Sequence, residues 1–233
     1  MKLFSIKAHT SFIMHLLREF NLCHLSLKNI KNFMDMIVKF HFRYNVIYAY
    51  PGNTIRSYYR DFLKNMMSNT DNKNSILREL KFDAKKYNIH NFNEFEEKFK
   101  LKIRYSEKEK SNRKLVRYIL EEIDKSFINT SVIMDYNKLT IEHLISQSNT
   151  DYDVEQIGNL IFVTTELQDK LKNKCLKEKI RILEKEGYFN NYNERLFLPN
   201  ITEAKDDISE NIKLINNRTN NIIKLAYEKI WHV

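Results

Sequence analysis

A glutamate and a histidine stand side by side in an aliphatic run, Leu139-Thr140-Ile141-Glu142-His143-Leu144-Ile145. Imidazole exchanges a proton near neutral pH, and a carboxylate is a hard oxygen donor, so the pair has the residue types for acid-base or cation-assisted chemistry. Each residue also has a plainer reading. A histidine in an apolar strand can be a packed, hydrogen-bonded core residue, and Glu142 can be an ordinary outward-facing charge. Neighbours on a regular strand face opposite ways, so both serve one site only where the strand ends or bends. His9, His15, His24, His41, His90 and His232 have no acidic partner at ligand spacing and read as structural or surface residues. Cys23 and Cys175 are too few and too far apart for a disulfide framework or a zinc site, which fits a reducing cytoplasm.

The run around the pair and a second one, Ile157-Gly158-Asn159-Leu160-Ile161-Phe162-Val163, are short and rich in β-branched and aliphatic residues. They predict two strands of a hairpin with a long loop, followed by a lysine-rich helical stretch from about Thr164. The remainder reads as helix. Three glycines and two prolines in 233 residues are too few for a turn-rich all-β fold, so the class is mainly α. Leu27, Ile30, Phe33, Met34, Ile37 and Val38 recur at spacings of three and four and predict a helix over Ser26–His41 with Ser26 as N-cap. Pro51-Gly52-Asn53 marks a turn, and Ile55, Tyr59, Phe62, Leu63 and Met66 form the next stripe. A polar loop is expected over Met67–Asn74, then helices over about Ile76–Tyr87, Phe92–Leu101, Asn112–Phe127 and Thr202–Trp231, with Trp231 anchoring the last.

The formal net charge of +9 suits a polyanionic partner. Abundant lysine, asparagine and isoleucine is also what AT-rich codon usage yields without selection for binding. Arg43, Arg56 and Arg60 flank the Pro51 turn as either a basic patch or a solvated helix surface. The amino-terminal apolar residues are interrupted by His9, His15 and Arg18, leaving no run of signal-peptide or membrane-span length, so a soluble cytoplasmic protein is expected. No phosphate loop of the form G-x-x-x-x-G-K-[ST] is present.

Thr140-Ile141-Glu142-His143-Leu144-Ile145-Ser146-Gln147-Ser148, Ile157-Gly158-Asn159-Leu160, Asn173-Lys174 and Glu178-Lys179, in that order and spacing, resemble the signature of the GmrSD C-terminal nuclease family. That family belongs to the HNH, or His-Me finger, superfamily. The likeness extends upstream to Val116-Arg117-Tyr118-Ile119-Leu120 and downstream to Ile230-Trp231, and residues 11–66 are similar to the segment preceding the nuclease in longer members.

The resemblance implies a mainly α fold with a small ββα-metal hairpin-helix module, α+β overall. Residues 1–110 would form a helical region and 111–233 the HNH-like domain with helical flanks. The implied activity is metal-dependent DNA endonuclease chemistry of restriction, antiviral-defence type. His143 would be the general base, and Asn159 would brace the hairpin and orient it. Glu142 and Gln168 would hold one Mg2+ or Mn2+, although the family usually has asparagine or histidine where Gln168 stands. Asn173 is a backup ligand or a structural cap, and Lys174 and Lys179 contact phosphate or face solvent. The alternative is a catalytically weak or inactive nucleic-acid-binding subunit of a nucleotide-dependent restriction system, with a separate partner chain hydrolysing the nucleotide.

Overall fold

The structure, a computed structural model, describes residues 10–69, 73–79, 81–106, 110–127, 134–149, 152–188 and 203–233. His9, Thr202 and residues 70–72 of the expected Met67–Asn74 loop lie outside the described residues. The architecture is mainly helical with one two-stranded antiparallel sheet, an α+β fold. Contacts divide the chain into two compact units, Met1–Lys98 with Trp231–Val233, and Phe99–Ile230.

In the first unit, α1 (Thr10–Asn21), α2 (Leu27–His41), α3 (Arg56–Ser68) and α4 (Lys73–Glu79) gather around aromatic side chains. The Ser26 hydroxyl accepts the Asn29 N–H at 3.2 Å, satisfying one of the donors that a helix start leaves open. The stripe Ile30, Phe33 and Ile37 is buried. Phe12 of α1 meets Phe33 and Phe62 edge-on, with ring centroids 5.1 and 5.4 Å apart. Glu19 of α1, 5% exposed, is hydrogen-bonded by Lys73 and by His24, and these bonds hold its carboxyl at about 2. Trp231, which belongs to this unit, stacks on Phe42 at 3.8 Å.

Two expectations differ here. The helix expected over Ile76–Tyr87 stops at Glu79, and residues 84–88 are turns. The Asp83 carboxylate accepts the N–H groups of Lys85 and Lys86 at 2.9 and 3.2 Å, local bonds that compete with a helical backbone. Arg43 belongs to no surface patch. It is 1% exposed and donates to the Ile89 carbonyl at 3.3 Å.

The chain passes from the first unit to the second within α5 (Phe92–Lys102), and in the second unit α6 (Lys110–Lys125) buries Val116, Ile119, Leu120 and Ile123. The Arg117 guanidinium donates to the Tyr136 carbonyl and, at 2.8 Å, to that of Leu139. The Tyr136 hydroxyl donates to Asp124 at 2.6 Å, and burial pushes the Asp124 carboxyl upward. These bonds deliver the chain into β1 (Thr140–His143), which pairs antiparallel with β2 (Leu160–Val163) in a register running from Thr140 opposite Val163 to His143 opposite Leu160.

The second strand is shorter than expected, because Ile157–Asn159 forms a 3-10 turn. Its backbone is taken by α9 (Ile208–Leu225). The Gly158 N–H donates to the Thr219 hydroxyl at 3.1 Å, and Arg218 donates to the carbonyls of Gly158 and Leu160 at 2.6 and 2.8 Å. A Cβ on Gly158 would stand 2.5 Å from the Ile215 carbonyl oxygen and 2.7 Å from the Thr219 nitrogen, so only glycine lets the helix come this close.

The lysine-rich stretch after β2 is two helices, α7 (Thr165–Leu171) and α8 (Leu176–Lys185). Thr164 caps α7 by accepting the Leu167 N–H at 3.2 Å, and Asn173, with φ of 60°, turns the chain between them. The helix expected over Thr202–Trp231 is α9 followed by a π turn, Ala226–Ile230. Among the described residues no helix is long and apolar enough to cross a membrane.

Candidate functional site

β1 stops at His143, so the strand end that a shared site requires is present. Glu142, 8% exposed, reaches the helices that follow β2. The Gln168 amide nitrogen donates to its Oε2 at 3.2 Å, and the Lys179 ammonium donates to its Oε1 at 2.7 Å. Gln168 arrives there because the Thr164 cap starts α7 directly after β2 and places it one turn inside. Lys179 arrives on the buried stripe of α8, beside Leu176, Ile180 and Leu183.

Lys179 is 2% exposed, and its second acceptor is the His143 carbonyl. A buried ammonium and a buried carboxylate each lose water, and the pair offsets that loss. Removing one partner strands the other and costs about 3–5 kcal/mol. Of the two readings open for Lys179, phosphate contact and solvated face, neither describes this placement. Its cation is committed to Glu142.

The His143 ring is half-buried and lies against Tyr105, with centroids 5.6 Å apart. Asn159 is fully buried, and its side chain accepts the Ile145 N–H at 2.7 Å while donating to the carbonyls of Ile145 and Val154 at 2.8 and 2.7 Å. Its backbone carbonyl accepts the Leu144 N–H at 2.8 Å. Asn159 therefore holds the chain where it leaves β1, immediately after His143. Asn173 and Lys174 are exposed beyond α7, and the left-handed Asn173 has the conformation of a helix-ending cap.

The structure thus joins Glu142, Gln168 and Lys179 directly, fixes the exit from His143 through Asn159, and leaves Asn173 and Lys174 at the surface. The Glu142–Lys179 pair escaped the sequence reading, although a lysine at a core-facing position of an amphipathic helix was a usable sign of a buried partner. The Arg218–Thr219 clamp on Gly158 has no local sign at all. Among the described residues no three His, Cys, Asp or Glu side chains cluster as a metal shell. Glu142 and Gln168 are nevertheless hard oxygen donors, and two ligands of one octahedral cation lie about 3 Å apart, which the contact of these two groups matches once the amide turns its oxygen inward.

No curated protein and no solved structure matches the chain. A family described as GmrSD restriction endonucleases, C-terminal domain, matches residues 93–225, more than half of the sequence. The matched stretch contains both strands, the Glu142-His143 pair, Asn159, and α7 and α8 with Gln168 and Lys179. On that coverage the chain belongs to the family of GmrSD restriction endonuclease C-terminal domains.

Proposed function

We propose that the chain is a DNA endonuclease of restriction type, with His143 as general base and Glu142 and Gln168 as ligands of one divalent cation, magnesium or manganese. The observation that supports this most is the Gln168–Glu142 contact of 3.2 Å at the end of the strand carrying His143. Phosphodiester hydrolysis needs an activated water and positive charge against the crowded phosphate. His143 takes the proton from the water, and Asn159 keeps the backbone beyond His143 in place so that the ring is presented consistently. A bound cation would supply charge stabilisation at the phosphate. In this proposal Lys174, exposed after α7, contacts the DNA backbone, and Asn173 beside it is a reserve ligand. The same proposal includes a nucleotide-hydrolysing partner chain.

Supercoiled plasmid incubated with Mg2+ or Mn2+ tests the assignment. His143→Ala should lower the cleavage rate by about 100-fold or more. An alanine variant that cuts as fast as the wild type refutes the base.

The second reading, a binding or regulatory subunit with little or no cleavage, is favoured by one observation, the Lys179 ammonium already seated on Glu142. It predicts DNA retardation in a gel by wild-type protein with no nicking under either metal.

A further inference from the structure

Both oxygens of the Glu142 carboxylate have a donor from the protein itself. One oxygen takes the Lys179 ammonium at 2.7 Å and the other takes the Gln168 amide N–H at 3.2 Å. We propose that Lys179 is the resident cation of this site and competes with a divalent metal for Glu142, so that Lys179 sets how tightly the metal binds. The inference rests on reading Glu142 and Gln168 as the ligand pair.

Three observations lead to it. First, at 2% exposure the ammonium has left water, and a charge that leaves water needs a counter-charge, which Glu142 supplies. Second, both acceptors of Lys179 are parts of the site itself, the Glu142 carboxylate and the carbonyl of His143, so the lysine neutralises the ligand and holds the end of β1 at once. Third, Gln168 turns its donor toward the carboxylate, so its amide must turn over before its oxygen can share a cation with Glu142.

A divalent cation on Glu142 would stand within a few ångströms of the ammonium. Like charges at that range in a poorly solvated site repel strongly, so the metal must push Lys179 aside or bind weakly beside it. Displacement takes the counter-charge from the ammonium, so it is feasible only as the four-bond lysine stem carries that charge toward water, and this cost is what weakens metal binding. The site is thereby neutral without metal and primed to exchange one cation for another.

Mn2+ binding to the full chain, followed by calorimetric titration at fixed pH and low salt, separates the outcomes. Lys179→Met should bind Mn2+ about tenfold more tightly than wild type or better, and Lys179→Arg, which keeps the charge, should show no such gain. Adding Glu142→Gln to Lys179→Met should abolish the gain. Equal or weaker binding by Lys179→Met overturns the proposal. If Lys179→Met is unfolded without metal, Mn2+ should restore its circular dichroism spectrum, and failure to do so also overturns it. Tighter Mn2+ binding with no plasmid cleavage in any variant would refute the nuclease reading and leave this inference standing. Cleavage that depends on His143, with no gain from Lys179→Met, would refute only the inference.

Discussion

Replacing Asn159 with alanine removes three hydrogen bonds whose partners are all backbone groups. The side chain accepts the Ile145 N–H at 2.7 Å and donates to the Ile145 and Val154 carbonyls at 2.8 and 2.7 Å, from a position with 0% exposure. A buried polar group left without its partner costs about 1–3 kcal/mol. A water admitted into the vacated amide volume recovers part of the loss, so the expected net destabilisation is about 3–5 kcal/mol. In a chain of this size each kcal/mol lowers the melting temperature by about 2–4 °C, giving a fall of roughly 10 °C. Urea unfolding and scanning calorimetry of the full chain measure it. Asn159→Asp is the sharper companion. It keeps the acceptor for Ile145 but turns a buried charge toward two carbonyl oxygens, and should be less stable than Asn159→Ala at pH 7. An alanine variant within about 1 kcal/mol of wild type, or an aspartate variant more stable than it, would refute the bracing role.

Gly158→Ala should cost about 3 kcal/mol, because the new methyl meets the Thr219 hydroxyl and, behind it, backbone of α9 that cannot swing away, and amide exchange across Leu160–Val163 should accelerate with it. Glu19, held at about 2 against an ordinary 4.5, gives stability that is complete above pH 4.5 and lost as pH falls toward 2. Glu19→Gln should therefore be less stable than wild type at pH 7, with the gap closing between pH 4.5 and 2 in urea melts; a constant gap would contradict the depressed carboxyl. Arg104 makes a two-pronged bond to Asp153 at 3.0 and 2.8 Å, but both side chains are at least a third exposed, so Arg104→Ala should change stability by less than about 1 kcal/mol.

The helices were readable where burial repeats every three or four residues, as in α2 and α6, because that spacing is fixed by the helix itself. The hairpin was readable from two short runs of β-branched and aliphatic residues, and its register places His143 at the strand end. What the sequence concealed lies in long-range partners. Ile157–Asn159 has the composition of a strand, yet the Gly158 N–H and carbonyl go to Thr219 and Arg218. Ile76–Tyr87 has helical periodicity, yet the Asp83 side chain closes a turn within it. Glu142 and Gln168 were placed from family register and do meet, whereas the partner of Lys179 depends on how α8 docks against β1, which no local pattern encodes.

The grip of α9 on the hairpin also has a timetable. The bonds from Arg218 and Thr219 to Gln156, Gly158 and Leu160 span 58 to 63 residues. At a synthesis rate of about 5–20 residues per second, a ribosome needs roughly 3–12 s to make that much chain. During that interval Leu160-Ile161-Phe162-Val163, wholly buried in the finished protein, follows a turn whose backbone bonds to α9 are not yet made. A short aliphatic run left open on a nascent chain favours strand-to-strand association with its neighbours. Slowing elongation between residues 163 and 219 should therefore increase insoluble product, and speeding it should decrease it.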